Sequence, residues 1–376
     1  MPKHIYVDKI LALILGVGFA AGCSMTPQKT NFQAVPNTIS SLKGYDTNFA
    51  VGFAVAENNS TPKSWSYGSV QKASKTQVSQ NAKWHIGSIT KSFTATLIMK
   101  LVEKGRLNLD IPINRYLSRY SDDMHPDLRA LTLRQLLSHS AGVPANAPLS
   151  FLLTTKSLDP YSGRRHVLSQ LWDKGLPHTT GRYLYSNIGY VLAGLIAEEV
   201  TQTTWETLII NEIASPLSMT SVGFGAPKGA TDPKGHFSGL LVAIPVPANN
   251  KNSDNPPWMG PAGTLHMSLA DLTKWGQAHV KACRGEFSNF LSTSSCQAMQ
   301  TKTSDTYGLG WVIEGSSTSK RVTHDGSNTL WYAKLSLDVT GGTVIAAATN
   351  SANSTLVESV IDSASAGQLV SQNGLQ

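Results

Sequence analysis

From Asn48 to Glu57 apolar residues alternate with polar or small ones, at Phe49, Val51, Phe53 and Val55, the two-residue period of a β-strand. Ser64 to Val70 reads as its hairpin partner. After Ser88 the period lengthens. Ile89, Phe93, Leu97 and Leu101 recur every four residues, with Ile98 and Val102 beside them, which predicts an amphipathic helix with a broad apolar stripe. Lys104-Gly105 ends it, a cation in the last turn followed by a helix stop. From Leu107 to about Cys296 the pattern is mainly helical with long loops, and it predicts helices over 132–138, 164–175, 187–201, 204–213 and 268–282. The stretch 223–263 is rich in glycine and proline and is expected to be irregular. Strand patterns return at Leu309–Ile313, Lys320–Thr323, Trp331–Asp338 and Thr343–Thr349, before a last helix at about 353–370.

Strands at both chain ends with helices between them predict an α+β fold, an α/β sandwich. One antiparallel sheet is built from the two ends, at 45–106 and 300–376, and flanked by helices. A mainly helical domain, 107–299, is inserted in the middle. No internal repeat is visible.

The first 22 residues are read as a signal peptide. Lys3 and Lys9 precede the apolar run Ile10 to Ala21, too short for an ordinary membrane span. The run ends Ala20-Ala21-Gly22-Cys23, which resembles a bacterial lipobox, although Ala20 stands where leucine is usual. Cys23 is therefore the expected lipidation site and membrane anchor, with plain secretion as the alternative. Ser24 after the cysteine points to the outer membrane and the periplasm, and residues 23–44 read as a polar tether. Cys283 and Cys296 then remain, close enough in sequence to close a disulfide loop in an oxidising compartment, or to stay two ordinary thiols. The formal charge is +7 without a basic run or a basic-aromatic cluster, so no nucleic-acid partner is expected. No His-x-x-x-His or Cys-x-x-Cys occurs, and neither a metal nor a cofactor is expected.

Ser88-Ile89-Thr90-Lys91 carries the chemistry. It places a hydroxyl and an amine on one helix face. A serine needs an adjacent base to act as a nucleophile, and a desolvated lysine can be one. Ser40 to Lys43, Ser69 to Lys72 and Ser317 to Lys320 share the spacing but lack the apolar stripe behind it. Gly87 lets the backbone turn sharply into the helix.

The chain resembles the family of class C β-lactamases, D,D-peptidases and family VIII esterases. The resemblance covers about residues 45–370 and rests on three motifs in order: Ser88-x-x-Lys91, Tyr185-Ser186-Asn187, and His324-Asp325-Gly326 where many members carry Lys-Thr-Gly. Leu136-Leu137-Ser138-His139-Ser140-Ala141-Gly142-Val143-Pro144, Pro261-Ala262-Gly263-Thr264-Leu265 and Tyr307-Gly308-Leu309-Gly310-Trp311 match as flanking phrases. The resemblance implies a β-lactamase/transpeptidase-like fold and an acyl-enzyme on Ser88, with Lys91 and Tyr185 sharing the proton. A phenol is a poor base unless a cation stabilises it, and Lys91 is the expected cation. Asn187 would orient Lys91 and a substrate amide. His324, Asp325, Gly326 and Ser327 are expected at the substrate, with backbone N–H groups of Ser88 and Ser327 forming the oxyanion hole. His324 and Asp325 replace a lysine and a threonine, which lowers the positive charge available to a substrate carboxylate.

Ser253-Asp254-Asn255 copies the second motif of class A enzymes but precedes Pro256-Pro257 in a loop, and is read as a decoy. His139 is expected to cap the Gly142-Val143-Pro144 turn, and His85 to end a strand. Trp331 and Tyr332 are read as an apolar wall near the site or as core. The expected function is an exported serine hydrolase acting on an ester, a D-amino-acid peptide or a β-lactam. The alternatives are a D,D-peptidase-like penicillin-binding protein inhibited by β-lactams, and a catalytically silent binding or sensor module.

Overall fold

The computed structural model describes residues 42–366 apart from 47, 149, 152–154, 156, 172–174, 239–242 and 317–318. The signal peptide, Cys23, most of the tether and the last residues of the expected C-terminal helix lie outside the described residues. The strands are β1 (Val51–Glu57), β2 (Lys63–Tyr67), β3 (Lys83–His85), β4 (Gly223–Phe224), β5 (Gly235–Ser238), β6 (Ala243–Val246), β7 (Leu265–Ser268), β8 (Val312–Glu314), β9 (Arg321–Ser327), β10 (Tyr332–Asp338) and β11 (Thr343–Thr349). The main sheet runs β2-β1-β11-β10-β9-β8, with β3-β7-β4 and β5-β6 as smaller sheets. Every pairing is antiparallel, and β1 joins the two chain ends by pairing with β11 from Val51↔Thr349 to Glu57↔Thr343.

Alternation in β1 and β11 divides the core. Val51, Phe53, Val55, Ile345 and Ala347 face one side and pack on Leu356, Val357, Val360 and Ile361. Ala54, Ala346, Ala348, Leu335 and Leu337 face the other side and join the main core. Both faces are covered, so β1 is buried on both sides rather than half-exposed. Small residues on the second face allow a close approach. A Cβ on Gly276 would sit 2.5 Å from Val344 Cγ1, and one on Gly52 would sit 2.8 Å from the Trp84 ring.

The longer helices are α1 (Thr90–Glu103), α2 (Leu133–Leu137), α3 (Pro160–Ser169), α4 (Asn187–Thr201), α5 (Leu269–Cys283), α6 (Thr293–Met299) and α7 (Ser354–Ser365). Each of α2 to α7 starts at a side-chain cap. Ser186 accepts from Gly189 N to start α4, and Ser268 accepts from Asp271 N to start α5. The expected start of α3 moves back to Pro160 because Asp159 caps it and proline suits the first turn. The cysteine pair is a disulfide joining the end of α5 to α6. The stretch 223–263 is less irregular than its composition implies. It contains β4 and the β5-β6 hairpin, whose strands are too short to show a period.

α1 is buried almost all round rather than along one stripe. Its polar side chains turn to backbone and ring groups: Thr94 donates to Pro261 O at 2.7 Å, and Ser92 accepts from the Trp275 ring N–H at 3.0 Å. Behind α4, the fully buried guanidinium of Arg164 bridges Glu198 and Glu206 and donates to Trp258 O at 3.2 Å. That contact braces the chain just before Pro261 and Ala262. Arg164→Ala should cost about 3–5 kcal/mol in urea unfolding, because it strands the buried Glu198 carboxyl; a cost below about 1 kcal/mol would show that the triad is not a brace.

Candidate active site

Ser88 stands in a 3₁₀ turn, Gly87–Ile89, between β3 and α1. Gly87 has φ +50, open to glycine at little cost. Two glycines press this turn against β9. A Cβ on Gly87 would sit 2.4 Å from Ser327 N, and one on Gly326 would sit 1.9 Å from Ile86 O and 2.8 Å from Ser88 N. No side chain fits between the two backbones. The amide nitrogens of Ser88 and Ser327 are thereby brought side by side at the start of α1.

Lys91 is fully buried, and its amine has three oxygen partners. They are Ser88 Oγ at 3.0 Å, Asn187 Oδ1 at 2.7 Å and Ala262 O at 2.7 Å. Among the described residues no carboxylate lies within ion-pair distance of it. Burial therefore holds the amine well below its ordinary pKa. A neutral amine has two N–H donors and one lone pair. The carbonyls of Asn187 and Ala262 can only accept, so they take the two donors and leave the lone pair for the Ser88 hydroxyl proton.

Ser186 caps α4 and places Tyr185 and Asn187 on either side of the turn into that helix. Asn187 N donates to Ala145 O at 2.8 Å, and its Nδ2 donates to Asn146 Oδ1 at 2.7 Å. That fixes the amide with its oxygen toward Lys91. Tyr185 lies beside Ser88, and the Lys91 amine is 4.8 Å from its ring centroid. Burial pushes the phenol well above its ordinary range, and the neighbouring Ser88 hydroxyl offsets this only partly. Burial favours the neutral form of both groups, which fits Lys91 as the desolvated base better than a lysine cation beside a tyrosine phenolate.

The third motif is split by strand alternation. His324 faces inward, donates from Nδ1 to Asp325 O at 2.6 Å and accepts at Nε2 from the Tyr307 hydroxyl at 3.1 Å. Burial, followed by the nearby Lys91, pushes it down to about 4. It is neutral as expected, but both nitrogens are committed, so it offers a substrate nothing. Asp325 points to the opposite face, 3.5 Å from Lys334, which also meets Glu358 at 2.8 Å. The expected substrate contacts of both side chains are corrected by this two-residue period. Gly326 is the spacer described above. The Ser327 hydroxyl donates to Trp331 O at 3.0 Å and closes its own turn, leaving the backbone N–H as the group beside Ser88.

Spacing alone did not reveal three contributors. Ala262 presents only a carbonyl, which carries no side-chain signal, and Asn146 lies outside every motif. His139 is not a cap for the Gly142 turn. With φ +60 it accepts from Leu184 N at its carbonyl (2.7 Å) and from Ser186 N at Nδ1 (3.0 Å), and its ring lies 4.3 Å from that of Tyr185. Burial holds it well below its ordinary range. Trp331 is buried and stacks on His85 at 5.5 Å, a packing role rather than a wall of the site.

The family model for Beta-lactamase matches residues 44–364. The chain belongs to the β-lactamase family. Its members are serine hydrolases. Protein flp of Staphylococcus aureus is 29% identical over 217 residues, 57% of this chain and 41% of that protein, so the chain spans about two fifths of that relative's length. The β-lactamase/D-alanine carboxypeptidase of Pseudomonas syringae superposes with a TM-score of 0.71 at 16% identity, over 88% of this chain and 95% of that one. The D-amino acid amidase of Ochrobactrum anthropi SV3 gives 0.64 at 21% identity, over 85% and 92%. Both solved structures share the fold of this β-lactamase family member.

If His139 holds Tyr185 in place, His139→Asn, which keeps an acceptor near the Nδ1 position and tolerates positive φ, should acylate within about fivefold of the parent. His139→Gln, whose amide reaches the Nε2 position instead, should lose about 10–100-fold in stopped-flow acylation. Equal rates for the two would remove the Ser186 contact from the argument.

Proposed function

We propose that this chain hydrolyses ester or amide carbonyls through an acyl-enzyme on Ser88. The observation that carries the reading is the buried Lys91 amine 3.0 Å from Ser88 Oγ, its other two partners being the obligate acceptors Asn187 Oδ1 and Ala262 O, so that in the neutral form its lone pair meets the Ser88 hydroxyl. Ser88 Oγ attacks the carbonyl carbon while its proton passes to Lys91 Nζ. The oxyanion is met by the N–H groups of Ser88 and Ser327 at the positive end of α1. Tyr185 O–H, beside Ser88, passes a proton to the leaving oxygen or nitrogen and is restored from Lys91. Water then cleaves the acyl ester by the same route in reverse.

The substrate class follows from charge. The third motif supplies a neutral, fully bonded His324 in place of a cation, and Asp325 faces away. We infer a preference for esters and amides without a carboxylate beside the scissile bond, D-amino-acid derivatives included, over β-lactams, which carry one. One structural neighbour is named a D-amino acid amidase, in keeping with this. We also propose export to the periplasm with a lipid on Cys23, a reading that rests on the leader sequence alone.

Intact-mass measurement after mixing with an activated ester and with a penicillin tests the reaction and the mature N-terminus together. The ester should give a short-lived adduct that Ser88→Ala lacks, and a chromogenic cephalosporin should turn over slowly. Fast cephalosporin turnover would overturn the charge argument, whereas a long-lived penicillin adduct would favour a penicillin-binding protein. Lys91→Ala should lower acylation by about 10²–10⁴-fold. Because burial lowers the Lys91 pKa, acylation should reach its plateau at a lower pH than an ordinary lysine would allow and fall as acid protonates the amine. A profile rising toward pH 10 would show an ordinary lysine.

A further inference from the structure

Asp254, in the loop before the one-turn helix Gly260–Gly263, is nearly buried and reaches both His85, before the Ser88 turn, and Asn328, after Ser327. Its Oδ1 lies 2.9 Å from His85 Nε2 and accepts from Asn328 Nδ2 at 3.0 Å. His85 Nδ1 accepts from Gly87 N at 3.1 Å, so its ring proton is on Nε2, which meets Asp254 in a close polar contact rather than an aligned hydrogen bond. On this side the contacts run from the carboxylate through His85 to the residue before Ser88. On the other side Asn328 follows Ser327, and its Oδ1 accepts from Leu330 N at 3.2 Å and Trp331 N at 3.3 Å, fixing the turn that carries Ser327. Trp331 closes the circle by stacking on His85. Next door, Asn255 donates to Gly263 O at 3.3 Å, beside the Ala262 carbonyl that receives Lys91.

We propose that Asp254 is a positioning residue for the oxyanion hole: one carboxylate oxygen ties the Gly87–Ser88 turn to the Ser327–Asn328 turn and so sets the spacing of the two N–H donors. The two amides belong to segments far apart in sequence, and the Gly87–Gly326 contact limits only how closely they approach. Asp254 limits how far they separate. The inference rests on the acyl-enzyme reading above, because a hole is useful only where an oxyanion forms.

The test compares acylation by matched oxygen and thiono esters of one acyl group, with thermal melting measured alongside. A hole spaced for oxygen prefers the oxygen ester, since sulfur is larger and a weaker acceptor. Asp254→Ala should slow oxygen-ester acylation about 10–100-fold with little change in ester binding, and should shrink the oxygen-to-sulfur rate ratio about tenfold. Asp254→Asn, which still accepts at Oδ1, should recover most of both losses. Asn328→Asp keeps the oxygen that caps the turn but sets an acceptor against Asp254, and should reproduce the loss of ratio even if Asp254→Ala fails to fold. A ratio unchanged in Asp254→Ala and Asn328→Asp, or equal slowing of both esters, would overturn the proposal. Ser88→Ala in the same assay should abolish both reactions; survival of either would sink the acyl-enzyme reading itself, whatever the Asp254 variants do.

Discussion

The site depends on an amine taken out of water without a counter-ion. Moving a charged ammonium into this interior would cost several kcal/mol, so the buried Lys91 is favoured as the neutral base. The cost is contained because every hydrogen-bonding position on the neutral nitrogen has a partner. Three separate segments contribute: Ser88 from the 3₁₀ turn leading into α1, Asn187 from the start of α4, and Ala262 from the turn that Arg164 braces. Loss of the Asn187 or Ala262 oxygen would leave a buried N–H donor unmet.

The second constraint is steric. The turn holding Ser88 and the strand holding Ser327 touch backbone to backbone, which only Gly87 and Gly326 permit. Packing at this density sets the position of the two amides more firmly than a hydrogen bond alone, because overlap is penalised steeply. The aromatic and histidine side chains of His139, Tyr185, Tyr190, Tyr307 and His324 then fill the space behind Lys91. They exclude water from the amine while contributing no charge of their own.

Much of this was legible in the chain. Most strands of the main sheet could be read because they run five to seven residues, the three-residue β8 excepted, and α4 because a capping serine precedes its fifteen residues. The Ser88 helix was recognisable by its stripe, although its full burial was not, since its threonines and serines bond to groups brought in from elsewhere. β3, β4, β7 and the β5-β6 hairpin are two to four residues long, too short for any period. Asp254 reads as a motif fragment in a proline-rich loop until the fold sets it between His85 and Asn328.

Residue types and their local spacing were sufficient to place a hydroxyl and an amine on one helix face, to seat a phenol and an amide at a helix start, and to sort strands from helices. These features are fixed by bonds and by periods of two or 3.6 residues, which a linear string records. The protonation states, the direction in which Asp325 points, the commitment of His324 to Tyr307, and the convergence of Ala262, His139 and Asp254 were decided only in three dimensions. They depend on burial and on partners up to 171 residues away, as between Lys91 and Ala262. Desolvation and packing are properties of the assembled neighbourhood, and no local stretch of chain encodes them.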